Sequence, residues 1–334
     1  MTYKAALIGA GIIASRHAQA IAAMEGLKLA AVADVREERA AELCAGKGAA
    51  VYTDYRQMLE KEKPDIAVIT LPHYLHLEAV QNTAGAGCHM LLEKPMGMNV
   101  RECDRMIEAI ERSGVKAMVG HTQHYLAENR AAKALADSGE LGRLVAMNDT
   151  RHGYYFTPDR PAWFLDKDKS GGGIVMNIGS HCIDRMQWLS GGRIRSIRAS
   201  LTWYGERGDV EGSGVLYAEN EHGVAGTITV SGYNCAPKNE YELLFTGGMI
   251  RCQGGGGLFV SRGGAYETVP IDGGDDPFVL QFEDLVTYIE TGHEPECSLD
   301  YARSVIDVVE SAYRSHETGA EQRVGAEAVG QSHE

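Results

Sequence analysis

The chain lacks any CxxC pair, any long apolar run and any excess of positive charge, and each absence excludes a class of protein. Its seven cysteines are scattered and odd in number, which argues against a disulfide framework or a zinc site and favours reduced thiols in a cytoplasm. No run approaches the roughly 20 apolar residues needed to span a bilayer. Since the net charge is −14, nucleic acid and anionic membranes would repel the protein.

The first 120 residues alternate between short apolar runs and longer stretches with helical periodicity. Runs such as KAALIG, LKLAAVAD, DIAVITLP and CHMLLE are apolar throughout, which predicts parallel strands covered by helices on both faces. The opening MTYKAALIGAGIIAS therefore fits a strand, a turn and a helix better than a weak signal peptide. We predict an α/β domain with a doubly wound parallel sheet over residues 1–121.

A second domain is predicted after this one, because 334 residues are enough for two cores. From residue 193 to about 270, short runs joined by glycine turns are typical of antiparallel strands. Helical periodicity then returns at 277–291 and 299–316. The predicted fold class is thus an α/β domain followed by an α+β domain with a mainly antiparallel sheet over 122–325, and a tail at 326–334.

A GxGxxA motif joins the first predicted strand to the first predicted helix. Small residues at Gly9 and Gly11 would let the backbone approach a pyrophosphate, and the amides of Ile12 and Ile13 would bind it at the helix N-terminus. Alone the motif is weak, but here it stands between a strand and a helix, as this chemistry requires. The motif therefore predicts a dinucleotide site rather than an ordinary turn.

Asp34 closes the second apolar run, 23 positions beyond Gly11. A carboxylate there would accept hydrogen bonds from the adenosine ribose and would repel a 2′-phosphate, which favours NAD over NADP. Arg36 lies close enough in sequence to weaken that preference. NAD is the expected cofactor, with NADP as the alternative.

Two further motifs follow apolar runs, where the ligands of such sheets gather. The first is LEKP, in which Lys94 should point into the cofactor crevice beside Glu93, because Pro95 fixes the exit of the chain. A solvated surface lysine is the alternative. The second motif is TLPHYLH, and its candidate cofactor contacts are Thr70, Leu71, Pro72 and His76.

The stretch SGGGIVMNIGSHCIDRMQWLSGG, residues 170–192, is predicted to form a capped helix. Asn177, His181 and Asp184 are spaced at i, i+4 and i+7 and would share one face. The glycines at 171–173 would let backbone and substrate approach closely, which fits a helix that enters an active site.

Taken in order, these motifs resemble the Gfo/Idh/MocA family, which includes glucose–fructose oxidoreductases and inositol dehydrogenases. The resemblance rests on the GAGxxA turn, TLPHYLH, EKP, GELGRL at 139–144 and GGG…N…GSHCID at 171–184, and it covers nearly the whole chain. It implies a Rossmann domain and then a domain with a large open sheet, often used for dimer or tetramer contacts. It also implies nicotinamide-dependent oxidation or reduction of a sugar, polyol or related compound.

The resemblance implies roles for individual residues. Lys94 matches the lysine of the EKP motif and would stabilise negative charge on the reacting oxygen. His181 matches the family histidine, the general base for the hydroxyl proton. Asn177 stands where many members have aspartate, and an amide can orient substrate or His181 only through hydrogen bonds. Asp184, three residues beyond His181, is interpreted as securing the helix or interdomain contacts, with contact to substrate as the alternative.

Several histidines and aromatic residues are further candidates for substrate contact. His121 and His124 have i, i+3 spacing, although His124 stands where the family often has arginine. Even with other histidines nearby, no carboxylate or cysteine completes a convincing metal set, so no metal is expected. Tyr154 and Trp163 could offer ring faces to a sugar or could pack against the sheet or a neighbouring subunit.

The leading hypothesis is a cytoplasmic NAD(H)-dependent dehydrogenase or reductase of a carbohydrate or polyol, forming a homodimer or homotetramer through the C-terminal sheet. Two alternatives stay open. One is a lyase or hydrolase that uses bound NAD for a transient oxidation, and the other is a non-catalytic nucleotide-sensing regulator of the same fold. The presence of both Lys94 and His181 argues against the regulator.

Overall fold

The computed structural model describes residues 2–271 and 273–325. The tail predicted at 326–334 lies outside these residues. Within the described part, no helix is long and apolar enough to cross a membrane.

The elements of the chain are numbered in order along the sequence. The strands are β1 (Tyr3–Ile8), β2 (Leu27–Ala33), β3 (Ala50–Tyr52), β4 (Ile66–Ile69), β5 (His89–Leu92), β6 (Ala117–Val119), β7 (Leu144–His152), β8 (Ile194–Thr202), β9 (Ser213–Asn220), β10 (Ala225–Ser231), β11 (Lys238–Phe245), β12 (Gly248–Gln253), β13 (Gly257–Ser261), β14 (Glu267–Val269) and β15 (Gln322–Arg323). The α-helices are α1 (Ile12–Ala23), α2 (Glu37–Cys44), α3 (Tyr55–Glu62), α4 (His76–Gly85), α5 (Val100–Ser113), α6 (Ala127–Asp137), α7 (Lys167–Ser170), α8 (Ser180–Ser190), α9 (Pro277–Thr291) and α10 (Leu299–Thr318).

The chain forms two units, and the first is not continuous in sequence. It comprises residues 2–127 and 273–303, whereas residues 128–271 and 304–325 form the second. The sequence predicted one boundary near residue 121, with everything beyond it in the second domain. The structure differs because α9 returns to complete the core of the first unit.

The first unit contains the predicted parallel sheet. Its strands run in the order β3-β2-β1-β4-β5-β6, and each neighbouring pair is parallel. Strand β4 is buried throughout, as expected of a strand covered on both faces. The strand order reverses between β1 and β4, and ligands of doubly wound sheets bind at such a reversal. The predicted Rossmann architecture is confirmed.

Helix α9 packs on α1 within this unit. Phe278, Phe282 and Leu285 are buried in the same core cluster as residues of β1 and α1. The ring of His17, on α1, lies edge-on to both phenylalanine rings, with centroid distances of 5.0 and 5.8 Å. Fully burying a side chain of this size contributes about 1.5–3 kcal/mol. The returning segment is therefore a stabilising part of the first unit.

The second unit is built on a nine-stranded sheet in the order β14-β13-β12-β11-β7-β10-β9-β8-β15. Its strand pairs are antiparallel except β10 with β7, which is parallel. Residues of β9 alternate between buried and exposed, so one face of the sheet is covered and the other is open. The predicted mainly antiparallel sheet is confirmed.

The predicted helix over 170–192 is not one uninterrupted α-helix. Helix α7 ends because Gly171 adopts a left-handed conformation, with φ of +76°. A π-helical turn at Val175–Gly179 then leads into α8. Such a turn accommodates one extra residue, so Asn177 and His181 do not have the simple α-helical spacing that the sequence predicted.

Candidate functional site

The glycine turn after β1 lies against the end of β4. Gly9 has φ of +101°, and a Cβ there would lie 2.8 Å from the Thr70 carbonyl oxygen, so only glycine fits. The Thr70 hydroxyl donates to the Gly9 carbonyl oxygen at 2.9 Å. Gly11 precedes α1 without a side-chain cap, and a Cβ there would meet nothing within 4 Å. The N-terminal end of α1 is therefore open.

Asp34 follows β2 and contacts the same turn. Its Oδ2 accepts the backbone N–H of Ala10 at 2.7 Å, and its Oδ1 accepts that of Arg36 at 2.8 Å. An ionised carboxylate has about four lone-pair positions, so it can also accept hydroxyl donors. The Asp34 side chain thus helps to form the turn and retains lone pairs that can accept the hydroxyl groups of a ribose.

These residues fit the pyrophosphate and ribose of a dinucleotide. A helix N-terminus carries partial positive charge, so the amides of Ile12 and Ile13 suit an anion. The Ile12 side chain is 91% exposed, and it occupies no place in the core. Gly9, Gly11 and Asp34 are therefore the residues that would hold these parts of NAD.

His76 connects the loops that follow β4 and β5. Its Nε2 lies 2.9 Å from the Leu71 carbonyl oxygen, and its Nδ1 lies 3.1 Å from that of Pro95. Burial lowers the pKa of His76 below its ordinary value, although these carbonyl contacts raise it. The ring therefore links two strand-end loops, and direct contacts of His76, Leu71 and Pro72 with the cofactor stay predictions.

Glu93 and Lys94 lie at the end of β5. Glu93 is buried; its Oε1 lies 2.8 Å from Nε2 of His17, and its Oε2 accepts the backbone N–H of Lys94 at 3.2 Å. Burial alone would raise the pKa of Glu93, but the hydrogen bond and charge of His17 and the charge of Lys94 hold it below its ordinary value. An ionised carboxylate thus contacts the backbone from which Lys94 projects. The predicted cofactor contacts of both residues are not tested by this geometry.

His121 and His124 follow β6 and are buried against Tyr301. Both rings lie edge-on to the tyrosine ring, with centroid distances of 5.8 and 5.2 Å. This is packing within the first unit, and contact with a substrate stays a prediction for both. Among residues 2–271 and 273–325, no three His, Cys, Asp or Glu side chains are grouped to hold a metal ion.

Tyr154 and Trp163 lie on the segment between β7 and α7. Trp163 is half-buried and stacks on Phe164 with ring centroids 3.7 Å apart, whereas Tyr154 is exposed. The guanidinium of Arg160 lies 3.9 Å from the ring centroid of Tyr155 in the same segment. Trp163 thus has a packing partner in its own segment, and Tyr154 keeps an exposed ring.

Asn177 is buried in the π-helical turn. Its side chain hydrogen-bonds the hydroxyl of Tyr155. Burial raises the pKa of Tyr155 to about 12, although this hydrogen bond lowers it. The Asn177 amide therefore has an uncharged phenol as its hydrogen-bond partner within the second unit.

His181 and Asp184 lie on α8. His181 is half-buried near the start of the helix, and Asp184 is fully buried. The next residue, Arg185, makes a buried bidentate ion pair with Asp149 of β7, with Nη2–Oδ1 at 2.7 Å and Nε–Oδ2 at 2.9 Å. This pair fixes α8 on the sheet of the second unit.

Two supporting residues were missed by reasoning from the sequence. His17 pairs with Glu93 across 76 positions, and Glu211 accepts backbone N–H groups of Gly173 and Val175 from 38 and 36 positions away. Neither lies in a motif with its partner. The one available signal was a histidine on the apolar stripe of α1, where a buried polar side chain needs a partner.

Comparisons with known proteins identify the family. Residues 3–121 match a model described as an oxidoreductase family with an NAD-binding Rossmann fold, and residues 129–251 match the GFO/IDH/MocA C-terminal domain. Inositol 2-dehydrogenase of Streptomyces avermitilis is 28% identical over 324 residues, covering 94% of this chain and 85% of that protein. A 1-carboxy-3-chloro-3,4-dihydroxycyclohexa-1,5-diene dehydrogenase of Comamonas testosteroni is 31% identical over 196 residues, 59% of this chain and 49% of that protein. For this and other curated relatives, the match spans about half of the relative's length.

The solved structures show the same fold. GenD2 from gentamicin A biosynthesis, in complex with NAD, matches with a TM-score of 0.86 and 24% identity over 97% of both chains. At this identity, the likeness extends to the architecture alone.

Proposed function

We propose a function from one premise: the chain belongs to the Gfo/Idh/MocA family of oxidoreductases, whose two domain models it matches in order. On that premise, the chain is an NAD(H)-dependent dehydrogenase or reductase in which bound nicotinamide takes up or supplies the hydride of a CH–OH carbon. The proposed substrate class is a sugar, an inositol-like polyol or a sugar derivative. The similarity to an inositol dehydrogenase along 94% of the chain supports this class.

One observation carries the nucleotide part of the proposal. Gly9 accepts no side chain, Gly11 leaves the start of α1 open, and Asp34 contacts the same turn. Open helix amides beside a carboxylate suit a pyrophosphate and a ribose together. Asp34 would repel a 2′-phosphate, so NAD is preferred to NADP, and the nearby Arg36 lessens the preference.

Lys94 is proposed to hydrogen-bond the reacting oxygen through Nζ and to stabilise negative charge on it. The support is its position after β5, at the carboxyl end of a parallel sheet, where ligands gather. Glu93 accepts the Lys94 backbone N–H and so restricts the direction in which the Lys94 side chain leaves the backbone.

His181 is proposed to take the hydroxyl proton during oxidation and to return it during reduction. An imidazole suits this task, because its ordinary pKa of about 6.5 lies near working pH. Asn177 is proposed to orient substrate or His181 by hydrogen bonds. Further candidates for substrate contact are His121, His124, Tyr154 and Trp163.

The open face of the nine-stranded sheet is proposed to form a homodimer or homotetramer contact. Val215 and Tyr217 lie two positions apart on the exposed face of β9 and are 56% and 48% exposed. Exposed apolar side chains on one sheet face favour association. We also expect a cytoplasmic location, since all seven cysteines lie in the described residues and are free thiols.

A substrate screen tests the activity. Sugars, inositols and sugar acids are offered with NAD and with NADP, and nicotinamide absorbance is followed in both directions. We expect turnover with at least one polyol or sugar and a preference for NAD. Turnover without net NADH would indicate the lyase or hydrolase alternative. Cofactor binding without any turnover would indicate the regulator.

Replacing Lys94 tests the mechanism. We expect Lys94→Ala to lower kcat by about 10²–10³-fold, because a charge-stabilising donor is lost from the transition state. The Kd for NAD should stay within about twofold, since the pyrophosphate and ribose contacts are elsewhere. Lys28→Ala, which removes an exposed lysine of β2, is the matched control. Full activity in Lys94→Ala would exclude the proposed role.

A further inference from the structure

The segment before the π-helical turn is held by residues far from it in sequence. A Cβ on Gly172 would overlap the hydroxyl of Tyr313, and a Cβ on Gly173 would overlap the carbonyl oxygen of Glu211. These glycines were predicted to permit close approach at an active-site helix. Within the second unit, the groups that approach them are Tyr313 of α10 and Glu211, which precedes β9.

The Glu211 carboxylate accepts three hydrogen bonds in a buried position. Oε2 accepts the backbone N–H of Gly173 at 2.8 Å, and Oε1 accepts that of Val175 at 2.8 Å. The hydroxyl of Tyr313 also donates to Oε1, at 2.9 Å. Because Glu211 is only 1% exposed, water scarcely competes for these oxygens.

The two backbone donors lie at the start of the helical segment that carries Asn177. First-turn N–H groups have no partner within a helix, and a side chain just before the helix usually accepts one of them. Here the preceding residues are glycines, which have no side chain. Glu211 supplies the acceptor instead, and its negative charge is favourable at a helix N-terminus.

We propose that Glu211 is a positioning residue for the reaction. Its carboxylate fixes the backbone at 173–175, and through the π-helical turn it fixes the directions of the Asn177 and His181 side chains. This inference rests on the proposed function, in which His181 exchanges the hydroxyl proton. Glu211 itself contacts backbone and Tyr313, so it acts through the segment and not on the substrate.

Three variants of the full-length protein test this role. Glu211→Gln keeps the size of the side chain but turns one acceptor into a donor that would face an N–H group. Tyr313→Phe removes one donor and leaves both backbone hydrogen bonds. Glu206→Gln, in the exposed loop that precedes Glu211, is the matched control.

The first readout needs no substrate. Hydrogen exchange of the apo protein is followed by mass spectrometry on peptides that span 171–179. We expect exchange about tenfold faster in Glu211→Gln, because the segment opens locally. Exchange should stay within about threefold of wild type in the other two variants. Unchanged exchange in Glu211→Gln would overturn the proposal even if the enzyme proves active on sugars.

The second readout separates kcat from the Kd for NAD, using the substrate found in the screen. Small displacements of catalytic groups cost up to about 100-fold, so we expect a fall in kcat of about that size for Glu211→Gln. The Kd for NAD should stay within about twofold, since the nucleotide residues lie in the first unit. An unchanged kcat would also overturn the proposal. A wild-type protein without turnover would refute the proposed function, while the exchange result would still decide whether Glu211 fixes the segment.

If Glu211→Gln shows no cooperative unfolding transition, the variant is not folded, and Glu211→Asp takes its place under the same criteria. It keeps the charge and shortens the reach by one methylene. We expect smaller effects than those of Glu211→Gln: exchange about threefold to tenfold faster, and kcat about threefold to tenfold lower. A wild-type exchange rate or a wild-type kcat in Glu211→Asp would overturn the proposal.

Discussion

Asn177 is an uncharged amide on the segment that leads into α8, the helix of the proposed base His181. The side chain is 7% exposed and hydrogen-bonds Tyr155, so it has a polar partner and carries no charge. An aspartate in its place would add a buried negative charge about one helical turn from His181. The effect of that charge on the proposed base can be measured directly.

We expect Asn177→Asp to keep turnover and to move the acidic limb of the pH–rate profile to higher pH. A nearby negative charge favours the protonated imidazole, so His181 would lose its base form at a higher pH than in the wild type. Profiles of kcat/KM from about pH 5 to 9 measure the shift. Asn234→Asp, on an exposed loop, is the control and should leave the limb in place. An unmoved limb in Asn177→Asp would show that residue 177 has no electrostatic effect on the base.

At the scale of elements, His76 links the ends of two strands. Its ring contacts carbonyl oxygens of the loops after β4 and β5, and Lys94 belongs to the second loop. We expect His76→Phe, which keeps a ring of similar size, to weaken NAD binding by about tenfold. The lowered pKa of His76 leaves a neutral ring with one N–H, so one hydrogen bond to a carbonyl oxygen, worth about 0.5–1.5 kcal/mol, is lost. A loss of about 1.4 kcal/mol in cofactor affinity corresponds to tenfold weaker binding.

Titration of the apo protein with NAD, followed by calorimetry, checks this expectation. His89→Phe is the matched control, because His89 lies at the opposite end of β5 and contacts the backbone of Lys116. It should leave the Kd for NAD within about twofold. Equal losses in both variants would mean that β5 as a whole, and not its carboxyl end, governs binding.

Periodicity predicted the elements whose apolar pattern is long enough to repeat. Helix α9 has the bounds that the sequence indicated, 277–291. Strand β3 has three residues and α3 has only Met58 and Leu59 buried among its eight, so neither carries an apolar pattern long enough to repeat. The π-helical turn was missed for another reason, since apolar spacing does not reveal an inserted residue in a nearly all-buried segment.

The candidate site was predictable where its chemistry lies in neighbouring residues. The glycine turn and Asp34 follow their strands directly, so sequence order alone brings them to one edge of a parallel sheet. The contacts of Glu93 with His17, and of Glu211 with Gly173, join residues 76 and 38 positions apart. Such contacts depend on tertiary packing, which leaves no local pattern to detect.

At the scale of the molecule, the first unit is completed by a segment that follows strands β7 to β14 of the second unit's sheet and precedes β15. The alternation of apolar runs and helical stretches ends near residue 121, and this marked where the chain leaves the parallel sheet. It did not mark the return at 273–303, because helical periodicity shows which face of α9 is apolar but not which unit it covers. The NAD-binding half of the molecule therefore depends on residues that are far along the chain.

We expect Phe282→Ala to destabilise the first unit by about 3–5 kcal/mol, because it removes a fully buried ring beside His17 and leaves a cavity. Since α1 carries the open amides of the proposed nucleotide site, the Kd for NAD should rise together with the loss of thermal stability. Differential scanning calorimetry and NAD titration measure the two effects. Phe259→Ala, which removes a half-buried ring of β13 in the second unit, should leave NAD affinity within about twofold. If Phe282→Ala bound NAD as tightly as the control, the returning helix would stabilise the first unit without supporting its nucleotide site.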